Sequence, residues 1–197
     1  MWMNKKYRYP EKYEPLFLDA KPFEHIVLRN FFAKEKLKKI LAAFKAQQFH
    51  SQSSDLFQFS QTNDLKKTKD KQLKEFYHFF SSRKFIQYIS KLTKTKLKKI
   101  NMSGFTYSST DYLLPHDDRL EGRKIAYIVN LSKLKEADGG ALELFEVNNS
   151  RATKVVRSYP PQFNSLVLFK VTPSSFHQVS EVLSDKKRYT LTGWFHG

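Results

Sequence analysis

From Ile100 onward the chain alternates short runs of apolar and polar residues with turn residues, and this rhythm narrows the possible folds more than any other feature. The runs are Asn101–Tyr107, Tyr112–His116, Lys124–Leu131, Ala141–Val147, Thr153–Ser158, Ser165–Val171, Phe176–Val182 and Tyr189–Phe195. Between them stand Glu121-Gly122, Asp138-Gly139-Gly140, Asn148-Asn149, Pro160-Pro161 and Ser184-Asp185. Runs this short with breaks of this kind are strands. Eight of them after a helical half predict an α+β protein with a jelly-roll, cupin-like double-stranded β-helix core and helices packed outside one sheet. The period of two sorts the side chains of Lys124–Leu131. Ile125, Tyr127, Val129 and Leu131 face the helices, while Ala126, Ile128 and Asn130 face the barrel interior. In the last strand Arg188, Thr190, Thr192 and Trp194 point inward, and Tyr189, Leu191 and Phe195 outward.

The first hundred residues read differently. Met1–Lys21 is a basic, aromatic lead-in broken by Pro10 and Pro15, with at most a short strand near Leu16–Leu18. His25–Leu28 is a strand. Ala33–Phe49 is the clearest helix, its Ala33, Leu37, Ile40, Leu41 and Phe44 forming one buried face at 3-and-4 spacing. Ser51–Asp70 is polar and without a helical period, so a long loop is expected, either a lid that grips substrate or a surface hairpin steadied by Phe57 and Phe59. Lys71–Phe80 and Ser82–Leu92 are two short helices with Ser81 or Ser82 as the N-cap between them. The expected organisation is one domain over 1–197, with 1–100 as helical support and lid and 101–197 as the β-helix.

Charge divides along the same line. Residues 1–104 hold 23 Lys and Arg against 9 Asp and Glu, whereas residues 105–197 hold 12 against 10. The basic half is read as a surface for RNA (rRNA included) or an acidic protein, or else as lysines kept on helix faces for solubility. With no Cys there is no disulfide, zinc-thiolate site or thiol nucleophile. No apolar run reaches membrane-span length and Met1–Glu14 lacks a signal-peptide core, so an intracellular protein, cytoplasmic or nuclear, is expected.

The chemistry centres on His116-Asp117-Asp118. On extended backbone, His116 and Asp118 project from one face and can reach one cation. An imidazole and a carboxylate make two thirds of the 2-His-1-carboxylate set that binds non-haem Fe(II) with positions to spare. Six His among 197 residues give roughly 0.3 chance His-x-Asp matches, so the motif needs company. His177 in Ser175-Phe176-His177-Gln178-Val179 supplies the second imidazole. Arg188 opens the final strand, and a guanidinium there is suited to grip a carboxylate.

These residues, with Pro22-Phe23-Glu24-His25, Gln61-Thr62-Asn63-Asp64-Leu65, Leu113-Leu114-Pro115-His116-Asp117-Asp118, Gly139-Gly140 and nearly all of Val171 to Gly197, resemble the 2-oxoglutarate- and Fe(II)-dependent oxygenases. The likeness is greatest to the ribosomal prolyl hydroxylases of fungi and animals. It implies an enzyme, a dioxygenase that hydroxylates a prolyl residue of a small-subunit ribosomal protein at the decoding centre, using Fe(II), 2-oxoglutarate and O2 with ascorbate as reductant. By the same likeness His116, Asp118 and His177 hold the iron and Arg188 pairs with the 5-carboxylate of 2-oxoglutarate. Tyr107 matches a tyrosine that relatives use on the co-substrate, and Asn130 stands where relatives place a Tyr on that carboxylate; Thr190, on the same strand face as Arg188, is read from its position as a further hydroxyl there. Such relatives continue into a second β-helix domain, whereas this sequence stops at Gly197. An elongation factor is the alternative protein substrate, and a non-catalytic basic β-helix that binds RNA or protein is the alternative to an enzyme.

Overall fold

The computed structural model describes residues 1–197. Its helices are α1 (Glu14–Leu18), α2 (Lys34–Lys45), α3 (Lys71–Ser81) and α4 (Arg83–Thr93). Its strands begin with β1 (His25–Arg29), β2 (His50–Ser54), β3 (Phe57–Gln61), β4 (Lys99–Ile100), β5 (Ser103–Tyr107) and β6 (Tyr112–His116). They continue with β7 (Arg123–Asn130), β8 (Leu142–Asn148), β9 (Arg151–Tyr159), β10 (Ser165–Lys170), β11 (His177–Val179) and β12 (Arg188–His196). All eight strands expected beyond Ile100 are present.

The strands form one curled antiparallel sheet with the order β1-β10-β7-β12-β5-β3-β6-β11-β8-β9. It is a double-stranded β-helix. Its two ends meet, for His25 Nε2 on β1 lies 2.7 Å from the Tyr159 hydroxyl on β9. Period-two alternation gives the two faces their tasks, as the sequence predicts. Ile125, Tyr127, Val129, Leu191 and Phe195 join the helices in a large aromatic core, where Phe76, Phe80 and Phe85 are essentially fully buried. Ala126 and Ile128 turn the other way and pack with Leu142, Leu144, Val167 and Phe169 inside the barrel. Each large apolar side chain so buried contributes about 1.5–3 kcal/mol, which is how the helical half comes to brace the sheet behind the cavity.

Helix ends follow their caps. Asp70 Oδ1 accepts the Leu73 N–H at 2.9 Å to start α3, and Ser82 Oγ accepts the Phe85 N–H at 3.2 Å to start α4. Lys94, at φ 50°, ends α4 in the left-handed region. Three local expectations are corrected. Leu16–Leu18 belongs to helix α1, whose Pro15 stands in the first turn where a missing N–H costs nothing. Helix α2 ends at Lys45, because the chain turns there to lay Phe49 edge-on against Phe44, ring centroids 5.1 Å apart. Most of Ser51–Asp70 is not loop. Strands β2 and β3 form a hairpin in register His50↔Gln61 to Ser54↔Phe57, followed by a 3-10 turn at Leu65–Lys67. Its Ser and Gln residues carry no apolar alternation, so the pairing partners had to come from elsewhere. Strand β3 pairs with β5 at Ser60↔Thr106 and with β6 at Phe57↔Leu113, bridging the two sides of the barrel at its mouth.

Candidate metal centre

Strands β6 and β11 are antiparallel neighbours with His116 opposite His177 in register. Two imidazoles 61 positions apart thereby come within 4.2 Å, centroid to centroid. Each ring is oriented by its own strand. His116 Nδ1 lies 2.8 Å from the Leu114 carbonyl and His177 Nδ1 2.9 Å from the Ser175 carbonyl. A carbonyl can only accept, so both Nδ1 atoms carry a proton, and the Nε2 atoms are left to face a partner. These face one carboxylate: His116 Nε2 is 3.5 Å from Asp118 Oδ1, and His177 Nε2 is 3.4 Å from Asp118 Oδ2. The donor atoms of the three residues all lie within 4.8 Å of one another.

Asp118 reaches this place by a different route from the one expected. Strand β6 stops at His116, and Asp118 sits at φ 61°, so a left-handed turn rather than strand alternation aims its carboxylate. That conformation costs an L-residue roughly 1 kcal/mol, and Asp tolerates it better than most. Asp117 does point away, to an ion pair with Arg119 Nε at 2.7 Å. Burial would raise the Asp118 pKa, but hydrogen bonds and charge from the two imidazoles hold it well below the usual carboxylate range. Burial would lower His116, yet the Asp118 carboxylate outweighs it and raises the imidazole above its ordinary value. Once a cation displaces the Nε2 protons, two imidazole nitrogens and one firmly ionised oxygen on one side of a site are the donor set of a mononuclear Fe(II) centre with open positions. The residues fit that metal.

The triad lines a cavity of about 410 Å³, which also contains Arg188 and Tyr107. Arg188 opens β12 opposite Tyr107 on β5, its guanidinium 4.9 Å from the Tyr107 ring. It is 2% exposed, forms no ion pair, and its Nε has no hydrogen-bond partner. Burial lowers its pKa. A buried cation without a counter-ion costs several kcal/mol, so the seat calls for an anion. Burial also pushes the Tyr107 phenol up to about 12, leaving it a hydrogen-bond donor at neutral pH.

Asn130 and Thr190 are a registered pair on β7 and β12 and both are buried, but neither lines the cavity. Asn130 Nδ2 donates to Ser165 Oγ at 2.9 Å, while its Oδ1 has no partner, and Thr190 Oγ1 accepts from Thr192 Oγ1 at 3.4 Å. Sequence reasoning singled out Phe57 and Phe59 only as the steadying residues of a surface hairpin, and not as lining of the cavity. Leu56, Phe57 and Phe59 come from the β2–β3 hairpin, whose pairing no local pattern announces. Arg123 does not line the cavity; after the Gly122 turn it donates from Nη1 to the Asp118 carbonyl at 3.2 Å and stacks on Trp194 with Cζ 3.4 Å from the ring centroid.

Residues 102–196 match the profile of the 2OG-Fe(II) oxygenase superfamily. The chain is 43% identical over 188 residues to the prolyl 3-hydroxylase OGFOD1 of Xenopus laevis, covering 91% of this chain and 36% of that protein. It is 32% identical over 186 residues to the prolyl 3-hydroxylase sudestada1 of Drosophila melanogaster, covering 89% and 35% respectively. The chain thus spans a little over a third of the length of the curated relatives it matches. Among solved structures, a Pseudomonas putida prolyl-4-hydroxylase superposes with a TM-score of 0.76 at 15% identity over 95% of this chain and 98% of its own. A Trichoplax adhaerens prolyl hydroxylase, solved with a hypoxia inducible factor peptide, gives 0.71 at 17% identity over 98% and 90%. At such identities these structures speak for the fold.

Proposed function

The chain belongs to the 2OG-Fe(II) oxygenase superfamily, and from that premise we propose that it is a prolyl hydroxylase of a translation protein, dependent on Fe(II) and 2-oxoglutarate. One observation carries the reading: two imidazole Nε2 atoms converge on one carboxylate in the cavity that holds an unpaired guanidinium. His116, Asp118 and His177 would hold the metal, and Arg188 the distal carboxylate of 2-oxoglutarate. When bound, iron and co-substrate supply oxidation of a substrate C–H to C–OH by O2, with 2-oxoglutarate leaving as succinate and CO2. The protein's share is placement. Leu114 and Ser175 keep both imidazoles in the metal-binding tautomer, Arg188 and Tyr107 offer donors at the far end, and Phe59, Leu113, Phe169 and Val179 keep the space between dry. Asn130 and Thr190, from the barrel wall, would act on the co-substrate through neighbours.

The substrate side rests on the kinship with prolyl hydroxylases and on shape. Leu56, at the hairpin tip, and Leu114 are exposed apolar residues at the mouth, suited to an extended protein segment. A ribosomal protein is the substrate we favour. The outer faces of α2, α3 and α4 carry Lys34, Lys36, Lys39, Lys71, Lys74 and Lys84, all exposed and without an acidic partner, and rRNA suits that field. Residues 1–197 act here as one catalytic unit, since the main core draws on both halves. Ascorbate as reductant and an intracellular location complete the proposal; no helix is long and apolar enough to cross a membrane.

The test is succinate release from 2-oxoglutarate with Fe(II), comparing wild type with His116→Ala, followed by mass spectrometry of ribosomal-protein and elongation-factor peptides for one added oxygen on Pro. Iron-dependent turnover that vanishes in His116→Ala supports the reading. Turnover absent from both proteins favours a non-catalytic basic β-helix.

A further inference from the structure

The triad's carboxylate stands on an improbable piece of backbone. Asp118 lies just past the end of β6 at φ 61°, and no strand neighbour pairs with its main chain. What touches it is Arg123. The same Nη1 donates to the Asp118 carbonyl at 3.2 Å and lies 3.7 Å from Asp118 Oδ1. The guanidinium is itself immobilised, with Cζ 3.4 Å above the Trp194 ring. Trp194 is anchored on β12, where its backbone N–H donates to Asn101 Oδ1 at 3.2 Å. A planar cation stacked on an indole loses little freedom on making these contacts. We propose that Arg123 is a positioning residue that clamps Asp118 by main chain and side chain together, so that the carboxylate is already aimed between the two imidazoles before metal arrives.

Two consequences distinguish the clamp from ordinary packing. Arg123 should matter to metal affinity itself, because a carboxylate free to swing must be ordered at the moment of binding. It should also depend on shape as well as charge, since lysine has neither the fork nor the flat face that Trp194 supports. Within the wider site Arg123 neither replaces nor competes with Arg188, which stands unpaired at β12's first residue.

The proposal rests on the metal reading of the triad, and its test keeps the two apart. Purified apo-protein is titrated with Mn(II), read by electron paramagnetic resonance, for wild type, Arg123→Gln, Arg123→Lys and Trp194→Leu. The clamp predicts that Arg123→Gln weakens Mn(II) on the order of 10–100-fold, the range for residues that orient a ligand. Arg123→Lys should recover only part of this, and Trp194→Leu should weaken binding with Arg123 intact. Circular dichroism of the apo-proteins must meanwhile remain that of the wild type. If Arg123→Gln does not fold, the comparison of Arg123→Lys and Trp194→Leu with wild type decides. Folded variants that bind Mn(II) within twofold of wild type overturn the clamp, even should their activity fall, and assign Arg123 to substrate contact instead. A wild-type protein that binds no Mn(II) overturns the metal reading and the clamp with it.

Discussion

His25 and Tyr159 join the two ends of the sheet: the imidazole Nε2 of β1 accepts the phenolic O–H of β9 at 2.7 Å. The Nδ1 of His25 donates to the Phe23 carbonyl at 2.8 Å, so the ring is held neutral with both nitrogens engaged. Protonating it would turn the acceptor of the Tyr159 hydroxyl into a second donor.

That pair makes stability depend on pH. Burial, helped by the charge of Arg157, holds the His25 imidazole below its ordinary 6.5, although the bond to Phe23 opposes it. The unfolded chain therefore binds a proton here at a pH where the folded one does not. The contribution of His25 is fully present above about 6.5 and is lost as pH falls from there toward the folded-state value, at up to ~1.4 kcal/mol per pH unit. Urea unfolding at several pH values should show a shallower acid-side slope for His25→Gln than for wild type, whatever its absolute stability. An unchanged slope would mean His25 does not titrate differently in the folded state.

Removing the central carboxylate should abolish metal binding while sparing the fold. Asp118→Ala is expected to weaken Mn(II) by more than about 100-fold, beyond what loss of an orienting neighbour costs. Relief of the left-handed strain does not follow, since Ala tolerates that φ less well than Asp. Titration calorimetry alongside thermal melts separates the two effects.

Arg188 offers a test with opposite signs for stability and activity. Its guanidinium is buried without a counter-ion, so Arg188→Met should leave the apo-protein as stable as wild type or more so. The same change should raise the KM for 2-oxoglutarate on the order of 100-fold, as loss of a buried charge-assisted contact does. Thermal melts and succinate assays read the two. A destabilised apo-protein with an unaltered KM would make Arg188 structural.

The hairpin should affect protein substrate and not co-substrate. Leu56 is 64% exposed at the tip between β2 and β3 and lines the cavity mouth. Leu56→Asp should raise KM for a prolyl peptide severalfold, the worth of one apolar contact of about 1 kcal/mol. KM for 2-oxoglutarate and the melting temperature should hold. Steady-state kinetics with each substrate varied in turn checks this.

Glycine at position 139 answers a steric demand. Gly139 has φ 70°, and a Cβ there would collide with the Glu181 carbonyl. The Gly139→Ala variant must move that backbone as well as bear the strained φ, so a loss of more than about 1 kcal/mol in urea unfolding is expected.

Most of the β-helix could be read from the chain because its information is local. Alternating side chains in Lys124–Leu131 and Tyr189–Phe195 sort themselves between the helical core and the barrel interior by a period of two, and Gly, Asn and Pro pairs mark the turns. His116, Asp118, His177 and Arg188 could be named for a similar reason, since their types and order already restrict the chemistry. Sequence offered the β2–β3 hairpin only as the alternative to a loop, because its Ser and Gln residues have no preference until β5 and β6 offer unpaired edges. It did not reveal the turn that aims Asp118, the clamp of Arg123 on Trp194, or the placing of Asn130 and Thr190 in the barrel wall. Those are contacts between segments far apart in the chain, and their free energy exists only once the sheet has curled and brought its two ends together.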